Sequence, residues 1–111
     1  MTKVLIIGGG PAGCMASIAC KKYHPECDVS LIDSNDKLGT KLRLTGGGRC
    51  NVSANVTNDE IINHTPRNGR FLFSSLDQFG VKDVISFFND HGLKLKEEDH
   101  HRLFPITNNA S

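Results

Sequence analysis

The stretch Lys3-Val4-Leu5-Ile6-Ile7-Gly8-Gly9-Gly10-Pro11-Ala12-Gly13 decides the fold. A short aliphatic run cut by glycine reads as a strand, and Gly8-x-Gly10-x-x-Gly13 follows it directly. In such a turn Gly8 permits the tight bend, and Gly10 lets a pyrophosphate approach the backbone. Gly13 lets the following helix pack closely on the strand. The helix then presents free N–H groups and the positive end of its dipole to the phosphates.

The residues that follow keep the unit in register. Ala12 to Lys22 places Ala12, Met15, Ala16 and Ala19 at helical spacing and ends in two lysines, which suit a helix C-terminus. Asp28 to Ile32 is a second strand. Strand, turn, helix and strand in this span have the dimensions of a βαβ unit with parallel strands. Asp33 falls 20 residues after Gly13, where an acid accepts hydrogen bonds from an adenosine ribose and repels a 2′-phosphate. Asp33 and its neighbour Ser34 are therefore candidate ribose contacts. As a turn or cap pair they would have no ligand at all. The fold class is α/β, the N-terminal part of a Rossmann-like dinucleotide-binding domain.

Residues 34–57 are rich in glycine, asparagine and serine and show no strong period, so they are expected to form a long functional loop. Within it lies Gly46-Gly47-Gly48-Arg49-Cys50-Asn51. From Lys37 to Asn58 there are four basic residues (Lys37, Lys41, Arg43, Arg49) and no acid, a local anion-friendly surface. Beyond it, Asp59 to Asn63 reads as a short helix. Arg70 to Phe79 and Val81 to His91 read as helices closed by Gly80 and Gly92. Leu93 to Glu98 and Arg102 to Ile106 read as paired strands.

The chain has 111 residues, 23% of them charged, with a formal net charge of +1. That length allows one domain with a modest core. The balanced charge argues against a nucleic-acid partner. The aliphatic run Val4 to Ile7 is far too short for a membrane span, and with glycines cutting it the start is expected to be a strand and turn rather than a signal peptide. The four cysteines (Cys14, Cys20, Cys27, Cys50) show neither zinc spacing nor a C-x-x-C pair. Free thiols in a cytoplasmic protein are expected, and the sequons at Asn51, Asn55, Asn63 and Asn109 are then idle.

KLGTKLRLTGGGRCNVSAN, with GGGPAG and the later HHRLFPITNNAS, resembles the BaiN-like flavoproteins, also described as aminoacetone-oxidase-like or NAD(P)/FAD-dependent oxidoreductases. The resemblance runs across nearly the whole chain. It implies a glutathione-reductase-type FAD-binding fold in which Gly8, Gly10, Pro11, Ala12 and Gly13 hold the pyrophosphate and Asp33 the adenosine ribose. Lys41, Gly46, Gly47, Gly48, Arg49, Cys50 and Asn51 would line the FAD nearer its ribityl chain or flavin. NAD(P)H is the implied electron donor and a small molecule the implied substrate. Family members often carry Glu where this chain has Asp33, and they are several times longer.

The expected organisation is a partial FAD-binding domain over 1–111: a βαβ unit (1–33), a glycine-rich cofactor loop (34–57), and helices with a strand pair (58–111). Asn108 to Ser111 reads as the first turn of a further helix, as in a fragment of a longer protein. The residues alone leave open a small nucleotide-binding module holding NAD or an adenine nucleotide without catalysis, or an inactive truncated remnant. No residue stands out as a catalytic acid or base. Cys50 reads as a structural thiol, His91, His100 and His101 as a solvated edge, and Phe71, Phe79 and Phe88 as core packing.

Overall fold

The computed structural model describes residues 1–111, and they form two compact units, Met1–Thr45 and Gly46–Ser111. The element order is β1 (Lys3–Ile7), α1 (Pro11–Tyr23), β2 (Asp28–Ile32), β3 (Ser53–Ala54), α2 (Asn58–Asn63), α3 (Phe73–Gln78), α4 (Val81–Asp90), β4 (Leu95–Glu97) and β5 (Arg102–Pro105).

In the first unit β1 and β2 pair in parallel with Lys3 opposite Asp28 and Ile7 opposite Ile32, the βαβ arrangement read from the sequence. Pro11 opens α1, where its missing N–H costs nothing, and Lys21 and Lys22 occupy the last turn. Strand alternation splits the aliphatic residues between two faces. Val4, Ile6, Val29 and Leu31 are half-buried, and Leu31 lies on the α1 side, against Gly13. Leu5, Ile7 and Ile32 turn the other way and are 59%, 80% and 49% exposed. The reading of β1 as a buried strand therefore holds for one face only, because two strands and one helix cannot cover both.

In the second unit β3, β5 and β4 form an antiparallel sheet with β5 in the middle. Its core is small: Cys50, Val81, Leu103 and the fully buried Phe104. The Thr57 hydroxyl caps α2 by accepting the Glu60 N–H. At α4 the Gly80 N–H donates to the Asp83 carboxylate, and a side chain at Gly80 would strike Asn58 and the Leu76 carbonyl.

Several expectations change here. Residues 34–57 are not all loop: a 3-10 stretch covers Leu42–Gly48, and Ser53–Ala54 joins the sheet. The helix expected from Arg70 begins as a 3-10 turn at Gly69–Leu72 and becomes α-helical only at Phe73. Phe71 is 84% exposed, because that 3-10 turn carries it to the outside, and Phe79, at the C-terminal end of α3, is 41% exposed, so neither is core, while Phe88 is half-buried. His100 and His101 lie in the left-handed region of a turn rather than along a strand. Asn108 is also left-handed, so Asn108 to Ser111 do not begin a helix. No helix is long and apolar enough to cross a membrane.

Candidate functional site

The glycine turn is built as its residue types demand. Gly8 has φ +112, which an L side chain rarely adopts, and its N–H donates to the Ile32 carbonyl, tying the turn to the end of β2. A Cβ on Gly13 would drive into the Gly8 carbonyl oxygen, so close helix–strand contact requires glycine there. Gly10 is the opposite case. Its backbone is extended, and a Cβ would meet nothing within 4 Å. Steric need within the protein explains Gly13 but not Gly10. The open space at Gly10 faces a helix N-terminus whose first intrahelical bond runs from the Cys14 N–H to the Gly10 carbonyl. The earlier first-turn N–H groups are left for an acceptor from outside.

Asp33 follows β2 directly and is half-buried, with Ser34 exposed beside it. Both line a cleft of about 530 Å³ with Ile7, Gly8 and Ile32, at the carboxyl ends of the two strands, where open α/β sheets bind ligands. The only side-chain partner of Asp33 is a long contact from the Asn35 amide at 3.4 Å, so it retains accepting capacity. Leu38 lies over Gly9, and the Gly39 N–H donates to the Gly9 carbonyl. Lys41 is exposed. The structure thus places Gly8, Asp33 and Ser34 around one cleft, with Gly10 to Gly13 following Gly8 into the start of α1, and this arrangement fits a dinucleotide.

The second glycine cluster is described within its own unit. Gly46, Gly47, Gly48 and Cys50 all have positive φ, at 58, 66, 89 and 63. A Cβ on Gly46 would approach the Asn51 nitrogen and the Phe104 ring at 2.8 Å. Cys50 is buried, and its thiol is free, as are the other three. Asn51, with its amide oriented to satisfy its neighbours, donates to the Leu103 and Ser53 carbonyls. Arg49 donates to both Glu98 oxygens, at 3.0 and 2.9 Å. Sequence reasoning found the basic run but missed this acid, which arrives 49 residues downstream.

Glu98 also receives Lys96 at 3.0 Å. Hydrogen bonds from Lys96 and then Arg49 hold its carboxyl below the usual range. Asn55 and His101 do the same for Glu97, and Arg102 for Asp99. Because these folded values are depressed, their stabilisation is present above the unfolded carboxylate values, about pH 4, and is lost as pH falls through the folded ones. The urea midpoint is therefore expected to fall between about pH 5 and pH 3, and Glu98→Gln should flatten that fall. An unchanged slope in the variant would contradict the assignment.

A family model described as HI0933-like protein Rossmann domain matches residues 2–111. Among curated proteins, the chain is 31% identical over its whole length to a 3-dehydro-bile acid delta(4,6)-reductase of Clostridium scindens, covering 26% of that protein. It is 33% identical over 100 residues to a ribosomal RNA dihydrouridine synthase of Escherichia coli, and 30% identical over 102 residues to that of Haemophilus influenzae. Each of these matches covers 90% of the chain and 24% of the relative. The chain thus spans about a quarter of the length of the relatives it matches. The two synthases correct the expectation of no nucleic-acid partner, which rested on a net charge of +1. Net charge sums over a whole chain, whereas contacts to phosphate and base depend on local groups.

Proposed function

The chain belongs to the HI0933-like Rossmann-domain family, and from that membership we propose that it is the FAD-binding portion of a flavin-dependent oxidoreductase. The observation that carries this reading is the glycine turn. Gly10 lies open at a helix N-terminus, and Asp33 stands at the mouth of the adjoining cleft. Gly8, Gly10, Pro11, Ala12 and Gly13 hold the pyrophosphate. Asp33 accepts from the adenosine ribose, with Ser34 beside it. Lys41 and the backbone of Gly46 to Asn51 serve the ribityl and flavin end. A second glycine cluster has no use in a plain NAD-binding unit, which favours FAD over the nucleotide-module alternative.

Bound flavin supplies hydride transfer at its ring. This chain contributes binding, orientation and electrostatics. The names of the relatives point to a substrate class. A 4,6-diene beside a 3-oxo group and the 5,6 double bond of uridine are both carbon–carbon double bonds conjugated to a carbonyl. The proposed reaction of the whole protein is reduction of such a bond, in a small molecule or in an RNA base, with NAD(P)H as electron donor. We place the protein in the cytoplasm, a setting in which its four free thiols stay reduced.

Asp33→Asn tests the ribose assignment. It keeps the shape but removes the charge, so FAD affinity should weaken by about 1–3 kcal/mol, the scale of a charge-assisted hydrogen bond. Turnover lost with FAD affinity intact would contradict the placement.

A further inference from the structure

Arg49 stands in a run of basic residues, where its natural reading is an anion ligand. In the fold its guanidinium is already engaged. Its Nη1 donates to both oxygens of Glu98, which is itself braced by Lys96, and its Cζ lies 4.0 Å from the centroid of the Phe104 ring. Phe104 is fully buried, and its ring edge also closes against Gly46. One aromatic ring therefore supports both the start of the glycine turn and the arginine that follows it.

The turn needs such support. Left-handed backbone at a non-glycine residue such as Cys50 is strained, and it persists only where the surroundings over-determine it. Here the Ala110 N–H donates to the Gly48 carbonyl, and the Val52 N–H to the Leu103 carbonyl. The Asn51 amide reaches Leu103 and Ser53. The Arg49 side chain clamps the middle of the turn: Nη1 alone reaches both Glu98 oxygens, and the guanidinium lies over the Phe104 ring, a stacking that lysine does not reproduce.

We infer that Arg49 is a positioning residue: held between Glu98 and the Phe104 ring, it fixes the turn Gly46 to Asn51, left-handed at Gly46, Gly47, Gly48 and Cys50, whose backbone rather than the guanidinium meets the cofactor. The cofactor half of this inference rests on the FAD-binding reading. The clamp itself does not.

Cys50 reports on the clamp without any flavin. It is buried inside the turn, whereas Cys27, equally buried at 8%, lies in the other unit and serves as the control. The full-length protein and its Arg49→Met, Arg49→Lys and Glu98→Gln variants would be treated with N-ethylmaleimide, and labelling would be followed peptide by peptide. All three variants should raise the Cys50 rate about tenfold with Cys27 unchanged, and should weaken FAD about five- to tenfold. Arg49→Met combined with Glu98→Gln should be no worse than either alone.

If Glu98→Gln leaves the Cys50 rate and FAD affinity at wild type while Arg49→Met weakens FAD, the guanidinium is a direct anion ligand and the inference is overturned. A variant that opens Cys27 as well has lost its fold, and the decision then passes to Glu98→Gln, the mildest change. Wild-type protein that binds no FAD would overturn the FAD reading and the cofactor half, while the Cys50 rates would still decide the clamp.

Discussion

Gly10→Val is expected to abolish FAD binding while leaving the protein folded. The new side chain meets nothing within 4 Å in the protein, and the Gly10 backbone is extended, a conformation valine adopts freely. The cost to stability is that of a poorer N-cap, no more than about 1 kcal/mol. Its methyl groups instead enter the open space at the helix N-terminus that we propose for the pyrophosphate. Overlap there should cost about 3 kcal/mol or more, over about a hundredfold in affinity. Gly13→Ala supplies the contrast. Its Cβ strikes the Gly8 carbonyl oxygen, so helix and turn must separate, with a stability loss of about 2–4 kcal/mol. Thermal melts beside flavin-fluorescence titrations of both variants distinguish the two roles. A Gly10→Val protein that binds FAD normally would remove the phosphates from this turn.

Phe104→Ala should be the most destabilising single truncation in the second unit. Phe104 is the only fully buried large side chain. It sits on the central strand β5, beneath Gly46 and the Arg49 guanidinium. Removing a buried phenylalanine costs about 3–5 kcal/mol, a large share of the stability of any small domain. Loss of the ring also frees the turn from its support, so amide exchange at 46–51 should accelerate beyond the change seen in α4. Phe104→Leu keeps most of the volume and should cost less than about 1.5 kcal/mol. A loss below about 1 kcal/mol for the alanine variant would show that the ring does not carry the turn.

The first unit was legible because its determinants are local. The glycines, Pro11, the strand runs and Asp33 all act within a single βαβ span, and the parallel pairing follows from it. The second unit was read less completely, for reasons that lie in particular residues. Ser53–Ala54 is too short to show a strand period, and it becomes a strand only because β5 offers it a partner. The α2 start carried a cap signal in Thr57 and Glu60, which would have moved its expected boundary back to Asn58. Phe71 looked like core because its spacing fits a helix, but the chain runs there as a 3-10 turn.

The candidate site shows the same division. Gly10 and Gly13 are equivalent as letters in a motif, and only the structure separates open space from close packing. The partner of Arg49 could not be found nearby, because the sequence around it contains no acid. Glu98 reaches it from the turn between β4 and β5. Global charge misled in a different way. It averages over the chain, and two relatives named as ribosomal RNA dihydrouridine synthases show that such an average does not exclude an RNA partner.

The most direct test is to titrate the purified full-length protein with FAD and NAD side by side, reading flavin fluorescence for the first and calorimetry for both. The expected result is stoichiometric FAD binding at concentrations where NAD does not bind, with FAD affinity lost in Gly10→Val. Tighter binding of NAD than of FAD would contradict the flavin reading and return the chain to the class of plain nucleotide-binding modules.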